Sequence, residues 1–256
     1  MTIYIFDGSF DGMLSAVFDS FARKENVDIL QTSEAPLPLF YDTLHEVATD
    51  NEKASRVWRK FRKTVSKGAS SALTAAFLTD SADFPLHALR FISRAVTSTS
   101  TIENDFSDPS VLAVLKEVRR VRGEAHRLLQ FVRFQKAADG TYFAMTEPMF
   151  DVLPMAVNHF VDRFSDQPFI LYDGCRDYGY HYDGTETRRI TLSETQGRIT
   201  SSGKLTADIA DKSERLYQDL WRTYFKAIAI TERTNPRKQR QDMPVRYWKY
   251  LTEMNE

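Results

Sequence analysis

Phe131-Val132-Arg133-Phe134-Gln135-Lys136-Ala137-Ala138-Asp139-Gly140-Thr141-Tyr142-Phe143-Ala144-Met145-Thr146 is the run whose reading decides the fold class. From Leu128 a helical period gives way to alternation, with Phe131, Arg133 and Gln135 set against Val132, Phe134 and Lys136. Asp139-Gly140 then turns the chain into Thr141–Thr146. An Asp-Gly pair between two such segments signals a β-hairpin, because both residues tolerate the positive φ of a tight turn. Upstream, Pro109 at a first helical position and Val111, Leu112, Leu115, Val118 and Val121 at helical spacing predict a helix. Downstream, a helix is expected over Met149–Arg163, then strands at Phe169–Tyr172, Tyr178–Tyr182 and Arg188–Leu192. Hairpin, helix and further strands imply a mixed or antiparallel sheet with helices against it, an α+β fold.

The flanks make the chain helix-rich. Thr2–Phe6 reads as a strand, Asp7-Gly8-Ser9-Phe10-Asp11-Gly12 as a tight loop, and Met13, Leu14, Val17, Phe18 and Phe21 as one face of a helix. The loop suits either a helix cap or an anion, and its glycine spacing matches neither a dinucleotide nor a P-loop fingerprint. Strands are expected at Val27–Gln31 and Phe40–Val47, and helices at Asn51–Ser66, Ala69–Leu78 and Leu86–Val96. Arg56, Arg59, Lys60, Arg62 and Lys63 give the first of these helices a basic face, either solvated or laid along phosphates. Thr97–Asp108 is polar loop, and Gly197–Asp208 reads as a mobile connection. Leu216, Leu220, Tyr224 and Ile228, with Trp221 and Phe225, form a last amphipathic helix. A single compact unit over 1–256 is expected, and a subdivision near 100–108 is the less favoured alternative.

With 256 residues, 42% of them hydrophobic, the chain can bury a substantial core. No apolar run approaches the roughly 18 residues of a membrane span, and the N-terminus lacks a signal-peptide pattern, so a cytoplasmic protein without membrane contact is expected. The formal net charge of -1 excludes a globally basic nucleic-acid binder, so any polyanion site must be local. Cys175 is the only cysteine and cannot by itself form an internal disulfide or a cysteine zinc cluster. The histidines show no metal-ligand spacing, so no metal and no cofactor are expected. No G-x-S-x-G elbow supports a serine hydrolase.

Candidate acid–base groups are Asp7, His126, His159 and Asp173. Histidine is a side chain suited to proton transfer near neutral pH, yet either of these two equally suits a structural hydrogen bond. Asp173 lies in Tyr172-Asp173-Gly174-Cys175-Arg176-Asp177, a turn that ends a strand and reads either as a functional edge or as a solvated Asp-Gly turn. Candidate phosphate or nucleic-acid contacts are Arg127, Arg133, Arg163, Arg176, Arg233, Asn235, Arg237 and Arg240, since guanidinium forks match phosphate geometry. Tyr247 and Trp248 are either stacking faces or anchors that return the chain end to the core.

Ile230-Thr231-Glu232-Arg233-Thr234-Asn235-Pro236-Arg237 and Met243-Pro244-Val245-Arg246-Tyr247-Trp248-Lys249-Tyr250-Leu251, with Tyr4-Ile5-Phe6-Asp7-Gly8-Ser9-Phe10-Asp11-Gly12 at the other end, resemble a bacterial family assigned to DNA metabolism and repair. Thr49-Asp50, Glu124-Ala125-His126-Arg127, Phe131-Val132-Arg133-Phe134, His159-Phe160-Val161-Asp162-Arg163 and Tyr172-Asp173 extend the resemblance through the middle. It implies a companion of a radical S-adenosylmethionine protein that modifies or repairs DNA. In some bacteria the domain is fused to a uracil-DNA-glycosylase-type domain, for which this chain is not expected to have room. The C-x-x-x-C-x-x-C cluster of the radical enzyme is missing, so iron-sulfur chemistry would belong to the partner. The resemblance brings no assigned activity and hence no catalytic residue.

Three readings follow from the residues and the resemblance together. The leading one is a DNA-binding accessory protein whose arginine-rich hairpin and C-terminal stretch hold a strand for a partner enzyme. The second is an enzyme on nucleotides or nucleic acid, with Asp7, His126, His159 and Asp173 in one cleft. The third is a non-catalytic scaffold, which predicts an exposed apolar patch and no DNA affinity.

Overall fold

The apolar run Thr2–Phe6 buries both faces of strand β1, Ile3 on one and Tyr4 and Phe6 on the other. In the computed structural model, which describes residues 1–79, 81–192, 199–200 and 203–255, β1 is the middle of a parallel three-stranded sheet. Its neighbours are β2 (Ile29–Thr32) and β3 (Thr43–Glu46). Helix α1 (Phe10–Arg23) begins where Ser9 accepts a hydrogen bond from the Gly12 amide. Asp7 organises this loop by accepting the Ser9 amide at 2.9 Å, the Ser9 hydroxyl at 2.6 Å and the Thr49 hydroxyl at 2.7 Å. A Cβ at position 12 would stand 2.2 Å from Asp7 Oδ1, so glycine there permits the carboxylate to close over the helix start.

Helices α2 (Asn51–Thr64), α3 (Lys67–Ala76) and α4 (Phe84–Thr97) complete the first core around Tyr4, Leu14, Phe61, Leu73, Phe91 and Ile92. Asp50 caps α2 through the amides of Glu52 and Lys53. On the basic face of α2, Lys53 is drawn to Asp19 at 2.8 Å, while Arg59 and Arg62 are exposed.

Helix α5 runs from Pro109 to Phe131, further than the sequence pattern suggested. Leu128 is fully buried and Phe131 packs against Tyr247 at 5.3 Å, so both are used as helix residues. The strand expected from Phe131 accordingly shrinks to β4 (Gln135–Lys136). The hairpin itself forms: β4 pairs antiparallel with β5 (Tyr142–Thr146), and Gly140 has φ 90° at the turn.

Helix α6 (Leu153–Arg163) starts later than Met149, because the Met149 amide is already bonded to Glu124 and Pro154 favours a start beside it. Strands β6 (Phe169–Asp173), β7 (Tyr178–Tyr182) and β8 (Thr187–Ile190) complete a sheet of order β4-β5-β6-β7-β8, parallel only between β5 and β6. The fold is α+β.

Helix α7 (Glu214–Ile228) and the short α8 (Pro236–Asp242) lead into 3-10 turns at Val245–Tyr250 and Thr252–Met254. No residue of α7 is buried: Tyr217 is 63% exposed, and Leu216, Leu220, Tyr224 and Ile228 stand open beside it. The expected connection over Gly197–Asp208 lies partly outside the described residues, at 197–198 and 201–202. The chain divides into two compact units, Met1–Arg122 and Gly123–Glu256, and the division falls inside α5, not in the polar loop at 100–108. Among the described residues no helix is long and apolar enough to cross a membrane.

Two glycines in helices should respond oppositely to alanine. Gly12→Ala forces the Cβ against Asp7 and should cost about 1–3 kcal/mol in urea unfolding. Gly123→Ala meets nothing within 4 Å and should gain about 0.5–1 kcal/mol through helix propensity.

Candidate functional site

The second unit is built around two acids that its own core has swallowed. Val121, Glu124 and Leu128 recur on one face of α5, so Glu124 arrives at a position meant for an apolar side chain and is 1% exposed. It survives there by saturation. Its carboxylate accepts the Met149 amide at 2.9 Å and the Tyr247 hydroxyl at 2.8 Å, and receives the Arg246 guanidinium through two nitrogens and Arg127 at 3.4 Å. Burial pushes its pKa up, but the Met149 amide, Tyr247 and Arg246 together outweigh burial and hold it below the ordinary carboxylate value.

Glu253 plays the same part for the last residues. It takes Arg133 through Nη2 at 2.6 Å and Nε at 3.3 Å, and the Trp221 indole N–H at 2.9 Å. Arg133 also lies over the Trp221 ring, 5.7 Å from its centroid. Burial raises the Glu253 carboxyl, while Arg133, a backbone amide and Trp221 bring it below the ordinary value.

Arg133 and Phe134 form the shared wall of two cavities. One, of about 340 Å³, is lined by Gln130, Arg133, His159 and Arg163 among others. The other, of about 560 Å³, is lined by Lys136, Tyr142, Tyr217 and Trp221 together with the shared pair. Phe134 is held edge-on by Phe160, Phe164 and Phe169 at 5.3–5.5 Å, which fixes the partition between them.

The residues singled out from the sequence separate into groups. Arg133, His159 and Arg163 meet in the smaller cavity, and His126 shares a 2.9 Å hydrogen bond with Gln130 of its lining. Arg163 makes no hydrogen bond or ion pair among the described residues; it lies over Phe164, 5.9 Å from the ring centroid. Arg127 is spent on Glu124. Tyr247 is buried against Glu124, and the Trp248 indole donates to the Met243 carbonyl at 3.0 Å.

Asp173 is fully buried at the end of β6 and lines neither of these cavities. It accepts the Cys175 amide at 2.9 Å and Arg176 Nη1 at 2.9 Å, and burial raises its pKa despite that arginine. Arg176 is further engaged by the carbonyls of Pro148 and Met149. Desolvation and the nearby Glu147 push the Cys175 thiol up, which makes it a poor nucleophile although the residue is exposed.

Arg233, Arg237 and Arg240 stand exposed around α8, their side chains without a hydrogen bond or ion pair among the described residues, and Asn235 caps that helix through the Lys238 amide. Asp7 belongs to the first unit, where it organises the start of α1. Among the described residues no three His, Cys, Asp or Glu side chains gather as a metal site.

Sequence reasoning met Glu124 only within the resembling stretch Glu124–Arg127, without a role, and passed over Glu253, Tyr142, Tyr217 and Trp221 as site residues. For Glu124 the signal was present: an acid on the apolar stripe of a helix needs a buried partner. Glu253 and the aromatic lining carry no such local signal, since their roles arise from contacts remote in sequence.

Residues 83–253, well over half of the chain, match the family described as domain of unknown function DUF4130. A search of the curated proteins found no match.

Glu124 also makes a pH prediction. Its folded-state pKa is depressed, so the stability it contributes is present above the ordinary carboxylate range and is lost as pH falls through the depressed value. Glu124→Gln should cost about 3 kcal/mol or more near neutral pH, since two arginines and a tyrosine hydroxyl lose their anion. Its urea midpoint should also fall less steeply on acidification than that of the parent protein; equal slopes would contradict this account of Glu124.

Proposed function

The chain belongs to the DUF4130 family, and from that premise we propose that it is a DNA-binding accessory protein in repair or modification. In this reading the second unit holds an unpaired strand while a partner, a radical S-adenosylmethionine enzyme on the resemblance of the sequence, performs the chemistry.

One observation carries the reading. The cavity lined by Arg133, His159 and Arg163 contains an arginine with no internal anion, beside a wall of fixed aromatic rings. Guanidinium groups left without a carboxylate suit phosphate oxygens, and aromatic faces suit unstacked bases. Arg233, Arg237 and Arg240 add three more unpaired cations in the same unit. Arg133 pairs with Glu253, Arg176 with Asp173, and Arg127 and Arg246 share Glu124, so most of the charge of these four is offset internally.

A scaffold reading is favoured by a different observation, the open apolar face of α7 at Leu216, Leu220, Tyr224 and Ile228. Exposed patches of this kind mark interaction surfaces. An accessory protein needs both properties, so the two readings part only on DNA affinity. The enzyme reading has less support: Asp173 is engaged elsewhere with Arg176, and among the described residues no carboxylate lines the cavity that holds His159.

Binding of purified protein to single-stranded DNA should weaken steeply with salt, the logarithmic slope changing by about 0.7 for each phosphate contact. Arg237→Glu with Arg240→Glu should lower affinity about tenfold and flatten that slope. Arg59→Glu with Arg62→Glu on α2 should leave both nearly unchanged. Absence of binding, or affinity indifferent to salt, would leave the scaffold reading in possession.

A further inference from the structure

The larger of the two cavities has a composition that the phosphate argument does not use. Its aromatic residues are Phe134, Tyr142, Tyr217 and Trp221, its two cations are already compensated, and its one acid, Glu214, accepts the Lys136 amide and the Gln218 side-chain amide. Arg133 is held by Glu253, and Lys136 stands 3.9 Å from Asp211. The smaller cavity is the reverse: among the described residues Arg163 has no ion-pair partner and no carboxylate lines it.

We propose that the larger cavity is a stacking pocket for one unpaired nucleobase of a bound strand, with the adjoining phosphate lodged beside Arg163 in the smaller cavity. The inference rests on the nucleic-acid reading above and assigns that reading its base-contacting residues.

Charge and shape support the division of labour. A nucleobase is uncharged and flat, so it suits a site whose cations are paired and whose walls are rings, while the Glu214 carboxylate in that lining disfavours a phosphate. A phosphate diester is anionic and small, so it suits the site with the unspent guanidinium. A volume of about 560 Å³ is in the range of small-molecule sites. Because Arg133 and Phe134 line both cavities, base and phosphate would be separated by the thickness of one wall. That wall is rigid: Phe134 is braced by three phenylalanines and Arg133 by a bidentate carboxylate. Tyr217, on the exposed side of α7, is the wall residue whose side chain can be removed without opening the core.

The test compares oligothymidylate with an abasic strand of equal phosphate number, bound to the full chain and to Tyr217→Ala. The parent protein should prefer the base-bearing strand by about tenfold. Tyr217→Ala should bring the two strands to near equality while leaving affinity for the abasic strand and its salt dependence as they were. Equal affinity of the parent protein for both strands, or an unchanged preference in Tyr217→Ala, overturns the stacking pocket and leaves the phosphate-binding reading standing. Displacement of the strand by equimolar thymidine monophosphate would give the pocket to a free nucleotide and also overturns it. No binding of either strand defeats the nucleic-acid reading and this inference with it.

Discussion

A buried carboxylate that must be satisfied governs the second half of this protein. Glu124 sits where α5 would otherwise present an apolar residue, and leaving an ionised group there without partners would cost several kcal/mol. Its donors come from two distant stretches, the Met149 amide before α6 and the Arg246-Tyr247 pair near the chain end. Satisfying one acid therefore fixes the entry to α6 and the path of the C-terminal segment at once. Glu253 extends the device by one step, since the segment brought in by Tyr247 delivers it to Arg133 and Trp221.

The consequence for function is a sorting of arginines. Those bonded to buried acids, Arg127, Arg133, Arg176 and Arg246, have a structural anion, and of these four Arg133 lines both cavities. Arg163, Arg233, Arg237 and Arg240 have no such anion among the described residues. Counting basic residues along the sequence cannot make that distinction, because an ion pair such as Arg133 with Glu253 joins positions far apart in the chain. Desolvation strengthens the distinction: a guanidinium locked to a nearly buried carboxylate is electrostatically quiet at the surface, whereas an exposed unpaired one is not.

Much of the fold was legible in local pattern. The Asp139-Gly140 turn, the β-branched and aromatic run Thr2–Phe6 and the helix start at Asp50 each act over a few residues, and each element lies within a few positions of where those signals put it. The errors arose where tertiary demands took over. Phe131 reads as the start of a strand but is held in α5 by packing on Tyr247, and Met149 reads as helix but gives its amide to Glu124. For the site, the sequence pointed to Arg133, His159 and Arg163, which share one cavity, and equally to Asp173, which lies with Arg176 instead. Tyr142 and Tyr217 could not have been selected, because only the sheet register and the placement of α7 make them neighbours.

The central claim is that a strand of nucleic acid lies across the wall formed by Arg133 and Phe134. Hydrogen–deuterium exchange of the whole chain, with and without oligothymidylate, tests it most directly. The account predicts added protection at Val132–Lys136, at the His159–Phe164 end of α6 and at the start of α7. Protection confined to the basic face of α2, or none anywhere, would contradict it.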